Sequence, residues 1–238
     1  MDVDLARFRK EIFNSYKKIK NSKKLRKYYQ LRYKLFSRFD SGVLLDKESW
    51  FSVTPEKVAQ YIAYNCYEKF KFNSDLVVFD IFCGSGGNSI QFANYFNLVY
   101  SFDIDYKKLL CARNNAEIYG VENKIEFICD DCFNIIKYLD KFKPDIVFLS
   151  PPWGGIDYMN ADECDISKFP INGFDIFYYA LKLTKNIVYF LPRNTNIEQI
   201  LYMAHPNLPQ TDSRVEIEQN FLNYKLTSLT AYFGDLVK

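Results

Sequence analysis

The chain has 238 residues, of which 48% are hydrophobic and 25% charged, and its formal net charge is +2. This composition is typical of a globular protein, and the length allows one large domain with a short appendage. The sequence has neither an apolar run long enough to span a membrane nor a signal-peptide core at its N-terminus. These features exclude membrane-embedded and secreted classes, and we expect an intracellular protein.

The charge is distributed unevenly along the chain. Residues 1–38 carry 13 Lys and Arg against 3 Asp and Glu, whereas the remaining 200 residues carry 18 against 26. A solvated helix face is the ordinary explanation for such a basic run. Here aromatic residues are interleaved with the charges, namely Tyr28, Tyr29, Tyr33, Phe36 and Phe39. This pattern favours a nucleic-acid partner for the basic segment.

The six cysteines do not predict a metal site. Cys129 and Cys132 have the spacing of a zinc knuckle, but no second such pair exists and His205 is the single histidine. We therefore expect reduced thiols and no bound metal.

The N-terminal third is predicted to be helical. Leu5, Phe8, Ile12, Tyr16 and Ile19 recur at steps of three and four, which indicates a helix. A second helix is predicted over residues 23–36, followed by a turn at 37–42 and an irregular stretch at 45–52. Thr54 and Pro55 then have the residue types that begin a helix.

From residue 76 onward, strands and helices alternate. Strands are predicted at residues 76–80, 98–104, 125–129, 146–149 and 187–191, with helices at 88–96, 106–119 and 174–183 and from about 197. A final antiparallel pair is predicted at 215–221 and 226–233. This order predicts a doubly wound α/β sheet, mostly parallel, with a C-terminal antiparallel hairpin. We expect a basic helical extension at residues 1–53 and an α/β domain at 54–238.

A glycine-rich loop at residues 80–88 follows the first predicted strand. Its glycines allow close approach of a ligand to the backbone at a helix N-terminus, around Phe82, Cys83 and Gly84. The acid that precedes the loop, Asp80, would repel a pyrophosphate. It would attract S-adenosylmethionine, which carries an ammonium and a sulfonium group.

Two further acids follow the next two predicted strands. Asp103 is placed to accept hydrogen bonds from ribose hydroxyls, and Asp131 to accept one from an adenine amine. One such acid could be a surface feature. Three acids at successive strand ends predict an S-adenosylmethionine site.

The buried strand at 146–149 stops abruptly at the sequence SPPWGG. Two prolines fix an extended turn, the carbonyls of Ser150 and Pro151 remain as acceptors, and Trp153 offers an aromatic face. Taken alone, the turn fits an ordinary strand exit as well as a site for a flat, amino-bearing ligand. Beside a methyl donor, these carbonyls, with Asn115, would orient the lone pair of a nucleobase amine toward the methyl group.

Several segments together resemble the trimethylguanosine synthase family of RNA cap guanine-2-amino methyltransferases. They are RYKLFSRFDSG (residues 32–42), WFSVTPE (50–56), DIFCGSGGNSIQFA (80–93), DIDYKKLLCARNNAEIYG (103–120), KIEFICDD (124–131) and VFLSPPWGGIDY (147–158). The resemblance covers about residues 28–194. It implies a Rossmann-like class I methyltransferase that converts the 7-methylguanosine cap of small nuclear and nucleolar RNAs to 2,2,7-trimethylguanosine.

The resemblance also implies roles for individual residues. Trp153 would stack on the cationic base, with Ser150 and Asn115 at its edge. Phe39 and Tyr158 would flank the cap, Arg193 would contact its phosphates, and Thr54 would contact the tail of the cofactor. Two departures from the family pattern are Asp130, where a small residue is expected, and Ile156, where a proline is expected.

Two alternatives stay open at this point. One is an amino-methyltransferase that acts on guanine or adenine in ribosomal RNA or DNA, and the other is a non-catalytic module that binds caps or RNA. For the cap enzyme we expect a monomer in the nucleus, nucleolus or cytoplasm. Its basic N-terminal arm, residues 1–27, would contact RNA phosphates, and residues 28–42 would form part of the cap pocket.

Overall fold

The structure is a computed structural model that describes residues 5–23, 25–155, 162–204 and 214–237. Its centre is a seven-stranded sheet with the order β3-β2-β1-β4-β5-β7-β6. The strands are β1 (Val77–Asp80), β2 (Leu98–Asp103), β3 (Ile125–Cys129), β4 (Ile146–Leu149), β5 (Ile187–Pro192), β6 (Val215–Leu222) and β7 (Lys225–Phe233). Strands β1 to β5 are parallel, and β7 runs antiparallel to both β5 and β6. The predicted mixed, mostly parallel sheet with a C-terminal hairpin is confirmed.

Helices cover both faces of this sheet. They are α5 (Glu56–Lys69), α6 (Gly87–Ala93), α7 (Tyr106–Tyr119), α8 (Gly173–Leu181) and α9 (Ile197–Ala204). The apolar runs of β4 and β5 are buried throughout, as expected of central strands covered on both sides. A 3₁₀ helix, Cys132–Tyr138, follows β3.

The N-terminal segment forms four helices: α1 (Leu5–Asn21), α2 (Arg26–Gln30), α3 (Arg32–Leu35) and α4 (Ser49–Ser52). The single helix predicted over residues 23–36 is wrong, because the backbone of Leu31 leaves helical geometry at φ −91° and ψ 4°. The stretch predicted as irregular contains α4. Its first turn is stabilised by Asp46, whose Oδ1 accepts a hydrogen bond from the Ser49 amide at 2.7 Å.

The N-terminal helices share the core of the sheet. The Tyr16 hydroxyl donates to the carbonyl of Val43 at 2.8 Å and accepts from the amide of Leu45 at 2.7 Å. Tyr16 also packs edge-on against Trp50, with ring centroids 5.2 Å apart. Because these residues belong to the same buried cluster as Phe148 of β4, the expected boundary after residue 53 falls inside a continuous core.

The side chain of Asn115 on α7 holds this segment in place. Its Oδ1 accepts from the Leu44 amide at 2.7 Å, and its Nδ2 donates to the carbonyls of Leu44 and Ser85, both at 2.9 Å. Asn115 is fully buried. One amide therefore joins the N-terminal segment, α7 and the loop after β1.

Replacing Asn115 with alanine should lower the free energy of unfolding by roughly 2–5 kcal/mol, because three buried backbone groups lose their partners. Urea unfolding followed by circular dichroism measures this. The control is Asn114→Ala, since Asn114 gives the N-terminal segment one hydrogen bond, to the Gly42 carbonyl at 3.0 Å. Equal stabilities of the two variants would contradict the anchoring role.

Candidate active site

A cavity of about 360 Å³ lies at the carboxyl ends of the parallel strands. Open α/β sheets bind ligands at this edge. Nine of the predicted site residues line its wall: Thr54, Phe82, Cys83, Gly84, Asp103, Asp131, Ser150, Pro151 and Trp153. The structure thus brings the glycine-rich loop, the acids after β2 and β3 and the SPPW turn around one space.

The glycine-rich loop packs tightly at two positions. Gly86 has φ +87°, and a Cβ there would lie 3.2 Å from Ala112 of α7. A Cβ on Gly87 would lie only 2.6 Å from Cγ2 of Val53. Side chains at these positions would push the loop away from α7 and from the N-terminal segment. Both glycines are therefore required for the shape of the cavity wall.

Buried polar atoms in and beneath this wall have no partner within the described chain. They are Oδ1 of Asp80, Oγ of Ser85 and Oδ1 of Asn88. Such atoms normally find a partner, so a polar ligand fits this wall. Asn88 also donates to the Thr54 hydroxyl at 2.9 Å, which fixes Thr54 in the cavity wall.

Asp80 lies beneath the loop and does not line the cavity. It is fully buried, and its Oδ2 accepts a hydrogen bond from the Ser89 hydroxyl at 2.6 Å. Burial raises the pKa of Asp80 to about 7, the nearby charge of Asp103 adds to this rise, and the bond from Ser89 opposes it. A cationic ligand above the loop would favour the ionised form of this carboxyl.

Asp103 is positioned by two backbone amides. Its Oδ2 accepts from Gly84 and its Oδ1 from Asp105, each at 2.9 Å. Burial raises the pKa of Asp103, and these two hydrogen bonds oppose the rise. The carboxylate lies on the cavity wall, where ribose hydroxyls could reach it.

Asp131 lines the cavity and also caps the 3₁₀ helix, because its Oδ1 accepts from the Phe133 amide at 2.8 Å. The unexpected Asp130 has a structural partner set. Burial pushes the pKa of Asp130 up, but hydrogen bonds from Lys137, Tyr138 and Asn134 outweigh burial and hold that pKa well below its usual range. The aspartate at residue 130, where the family pattern has a small residue, therefore does not displace Asp131 from the cavity wall.

Sequence reasoning missed an ion pair on the same wall. Nζ of Lys108 lies 2.7 Å from Oε2 of Glu48, and both residues line the cavity. Burial pushes the pKa of Lys108 down, but the bond to Glu48 and the charges of Asp46 and Asp103 raise it overall. No sequence signal could reveal this pair, since the two residues are 60 positions apart in the chain and the resemblance implies no role for either.

The SPPW turn connects the cavity to a second one. The Ser150 hydroxyl donates to the Phe82 carbonyl at 3.3 Å, which ties the turn to the glycine-rich loop. Trp153 is half-buried and packs against Phe190 of β5, with ring centroids 5.4 Å apart and planes at 32°. Its side chain lines both cavities.

The second cavity, of about 190 Å³, separates the N-terminal helices from the C-terminal hairpin. Its wall comes from α2, α4 and the segments after β5 and in the hairpin. The lining residues include Tyr28, Phe51, Trp153, Phe190, Arg193, Leu222, Thr227 and Ser228. Arg193 is exposed at the end of β5. Phe190 was missed from the sequence because an aromatic within an apolar run looks like core, and Phe51 because it lies in a stretch predicted to be irregular.

Besides Asp80, two predicted residues line neither cavity. Asn115 is buried, and its side chain is hydrogen-bonded to the backbone of Leu44 and Ser85. Phe39 is buried against Trp50, with ring centroids 5.6 Å apart. Each supports a cavity wall from behind. Tyr158, the departure at Ile156 and His205 lie outside the described residues.

The cysteines and acids show no metal-like grouping. All six cysteines are free thiols, and burial raises the pKa of Cys83 well above its ordinary value. In the part of the chain that the structure describes, no three His, Cys, Asp or Glu side chains come together as metal ligands. Within the same residues, no helix has the length and apolarity needed to cross a membrane.

Solved structures share the fold at low sequence identity. A putative methyltransferase from Porphyromonas gingivalis W83 superposes with a TM-score of 0.64 at 14% identity, covering 88% of this chain and 48% of that one. The S-adenosylmethionine-dependent methyltransferase of Agrobacterium tumefaciens gives 0.58 at 16% identity, covering 77% and 63%. These similarities establish the Rossmann-like methyltransferase fold.

Sequence comparison is more specific. The trimethylguanosine synthase of Schizosaccharomyces pombe is 41% identical over 182 residues, which cover 75% of this chain and 74% of that protein. The enzyme of the same name from Saccharomyces cerevisiae is 39% identical over 191 residues, covering 78% and 60%. The family of RNA cap guanine-N2 methyltransferases matches residues 76–236. The chain therefore belongs to the RNA cap guanine-N2 methyltransferase family.

Proposed function

We propose that this enzyme adds two methyl groups in succession to the 2-amino group of a 7-methylguanosine cap, giving 2,2,7-trimethylguanosine on small nuclear and nucleolar RNAs. The observation that carries the proposal is the position of Trp153, which lines both the cofactor cavity and the cavity beside Arg193. We further infer that it acts as a monomer, in the nucleus, nucleolus or cytoplasm.

The first cavity would hold S-adenosylmethionine, which supplies an electrophilic methyl group on a sulfonium when bound. Asp103 would accept hydrogen bonds from the ribose hydroxyls, and Asp131 would accept one from the adenine amine. Thr54 and the backbone at Phe82, Cys83 and Gly84 would enclose the rest of the cofactor, while Asp80 would provide negative charge from beneath the loop. These assignments are supported by the wall of the cavity and by the unpartnered polar atoms in it.

On the acceptor side, Trp153 would stack on the cationic base while the carbonyls of Ser150 and Pro151 accept hydrogen bonds from its amine. An exocyclic amine is a weak nucleophile because its lone pair is delocalised into the ring. Orienting that lone pair toward the methyl group is the main catalytic contribution of the protein. Arg193 contacts the phosphates, and Tyr158 would flank the base. Asn115 and Phe39 act indirectly, by positioning the N-terminal segment.

A methyltransferase for internal bases of ribosomal RNA or DNA would share the donor cavity. A binding module without activity would not need the acceptors of the SPPW turn. Competition separates these possibilities, because the cap enzyme alone should be inhibited far more strongly by 7-methylguanosine nucleotide than by guanosine nucleotide. A labelled-methyl assay on capped RNA, followed by nucleoside analysis, tests the proposed product directly.

Asp103→Asn should weaken S-adenosylmethionine binding by roughly 1–3 kcal/mol, the scale for a hydrogen bond to a charged group. Isothermal calorimetry on the folded variant measures this. The control is Asp145→Asn. Asp145 also accepts a backbone amide, that of Val77 at 2.8 Å, but it lies at the opposite edge of the sheet. If both variants bind the cofactor like the wild type, Asp103 is not a ribose ligand.

Trp153→Leu should reduce the preference for 7-methylguanosine over guanosine, because only the methylated ring carries a positive charge. The cation–π contribution of roughly 0.5–2 kcal/mol corresponds to about a 2- to 30-fold loss in the ratio of kcat/KM values. The wild type should prefer the methylated nucleotide by well over about tenfold, and Trp153→Phe should fall between the two.

The control for lost packing is Phe177→Leu, a change at a fully buried aromatic residue of α8 that lines neither cavity. It should lower the melting temperature without changing the ratio. A wild type that uses guanosine and 7-methylguanosine equally would exclude stacking on a cationic base.

The basic arm, residues 1–27, is expected to bind RNA phosphates through its surface lysines. Because α1 packs into the core, deleting residues 1–27 would remove buried side chains, and changing surface charges is the cleaner test. Lys17 and Lys18 are both exposed, and the double variant Lys17→Gln, Lys18→Gln should bind capped RNA with a weaker salt dependence. The slope of log K against log salt concentration should become less negative by about 0.7 for each phosphate that no longer has a lysine beside it. Lys141→Gln with Lys143→Gln, before β4, should leave the slope unchanged. Equal slopes for both pairs would show that α1 does not bind RNA.

A further inference from the structure

The tip of the β6–β7 hairpin has a backbone that tyrosine rarely adopts. Leu222 and Lys225 pair across a two-residue turn, in which Asn223 has φ +51° and Tyr224 has φ +62°. Glycine is the residue usually found at the second position of such a turn, and a bulky residue there strains the backbone. Tyr224 is fully exposed, so packing within the chain does not offset this strain.

The register of the sheet places this tip at the ligand edge. Strand β7 runs alongside β5 from Tyr232, opposite Val188, to Ser228, opposite Pro192. Since β5 ends at Pro192, the hairpin continues roughly 10 Å beyond the carboxyl edge of the parallel strands. A register shift between Asn220 and Phe221 marks the start of this projecting part.

The projecting part is continuous with the second cavity. Leu222, Thr227 and Ser228 line that cavity together with Arg193 and Trp153. Tyr224 is therefore two residues from the cavity wall, on the side away from the donor.

The chemistry of the tip suits single-stranded RNA. Phe221 is 55% exposed beside Tyr224, and Lys225 adds a positive charge to that of Arg193. The acids of β6 lie toward the other end of the hairpin, where Glu216 pairs with Lys69. Unpaired bases stack on exposed aromatic side chains, and a neighbouring cation attracts the backbone phosphates.

We propose that Tyr224 is a stacking platform for the nucleotide that follows the cap, reached from the cap through the phosphates at Arg193. This inference rests on the proposed function, since it needs a cap base at Trp153. It adds a specificity element, because the hairpin would distinguish a capped RNA from a free cap nucleotide.

Tyr224→Gly tests the inference without loss of folding, because glycine is suited to the backbone that tyrosine adopts under strain. The assay compares methyl transfer to a capped pentanucleotide with transfer to 7-methylguanosine triphosphate. In the variant we expect the KM for the pentanucleotide to rise about tenfold, and the kinetics with the mononucleotide to stay unchanged. The melting temperature of Tyr224→Gly should equal or exceed that of the wild type. Tyr224→Trp, which keeps an aromatic face, should keep the low KM of the wild type for the pentanucleotide.

The matched control is Phe72→Gly. Phe72 is a second aromatic residue with a positive φ, +62°, and it is 54% exposed. It precedes β1 and therefore lies at the opposite edge of the sheet. It should leave the KM for both substrates unchanged. If the wild type methylates both substrates and Tyr224→Gly leaves their KM ratio unchanged, the stacking role is wrong while the proposed function stands. If the wild type methylates neither substrate, the proposed function itself fails.

Discussion

The close contact between Gly87 and Val53 is the constraint on which both cavities depend. It brings the N-terminal segment onto the glycine-rich loop at a distance that no larger residue would allow. Thr54, bonded to Asn88, then closes the donor cavity, and Phe51 lines both cavities. Because α4 and the loop are held together, the donor and acceptor walls are built from the same few residues.

The sequence predicted the parts of the site that come from strand ends. Asp103, Asp131 and the SPPW turn could be located because parallel strands bring their carboxyl ends to one edge, whatever the remaining packing. Asn115 shows the limit of this reasoning. A polar side chain on a helix beside the site has the same appearance in sequence whether it contacts a substrate or holds a buried backbone, and here it holds Leu44.

The residues that were missed share one physical reason, namely that their contacts depend on how distant parts of the chain pack together. Phe190 lies in a strand whose residues are all buried, so its contact with the half-buried Trp153 follows only from the order of the strands. The pairing of Glu48 with Lys108 requires the N-terminal segment to lie across α7. The division of the predicted helix at Leu31 likewise depends on tertiary packing, since its local sequence favours a continuous helix.

Two cations must come together for the proposed reaction, the sulfonium of the donor and the methylated base of the acceptor. The structure offers each a different kind of partner. Carboxylates line the first cavity, where the donor would bind, and the raised pKa of buried Asp80 means that a cationic ligand and the ionised carboxyl would stabilise each other. At the acceptor, the indole face of Trp153 can attract a delocalised cation without adding a full negative charge. A carboxylate there would hold the base but would also compete for the sulfonium, so an aromatic face suits the acceptor side better.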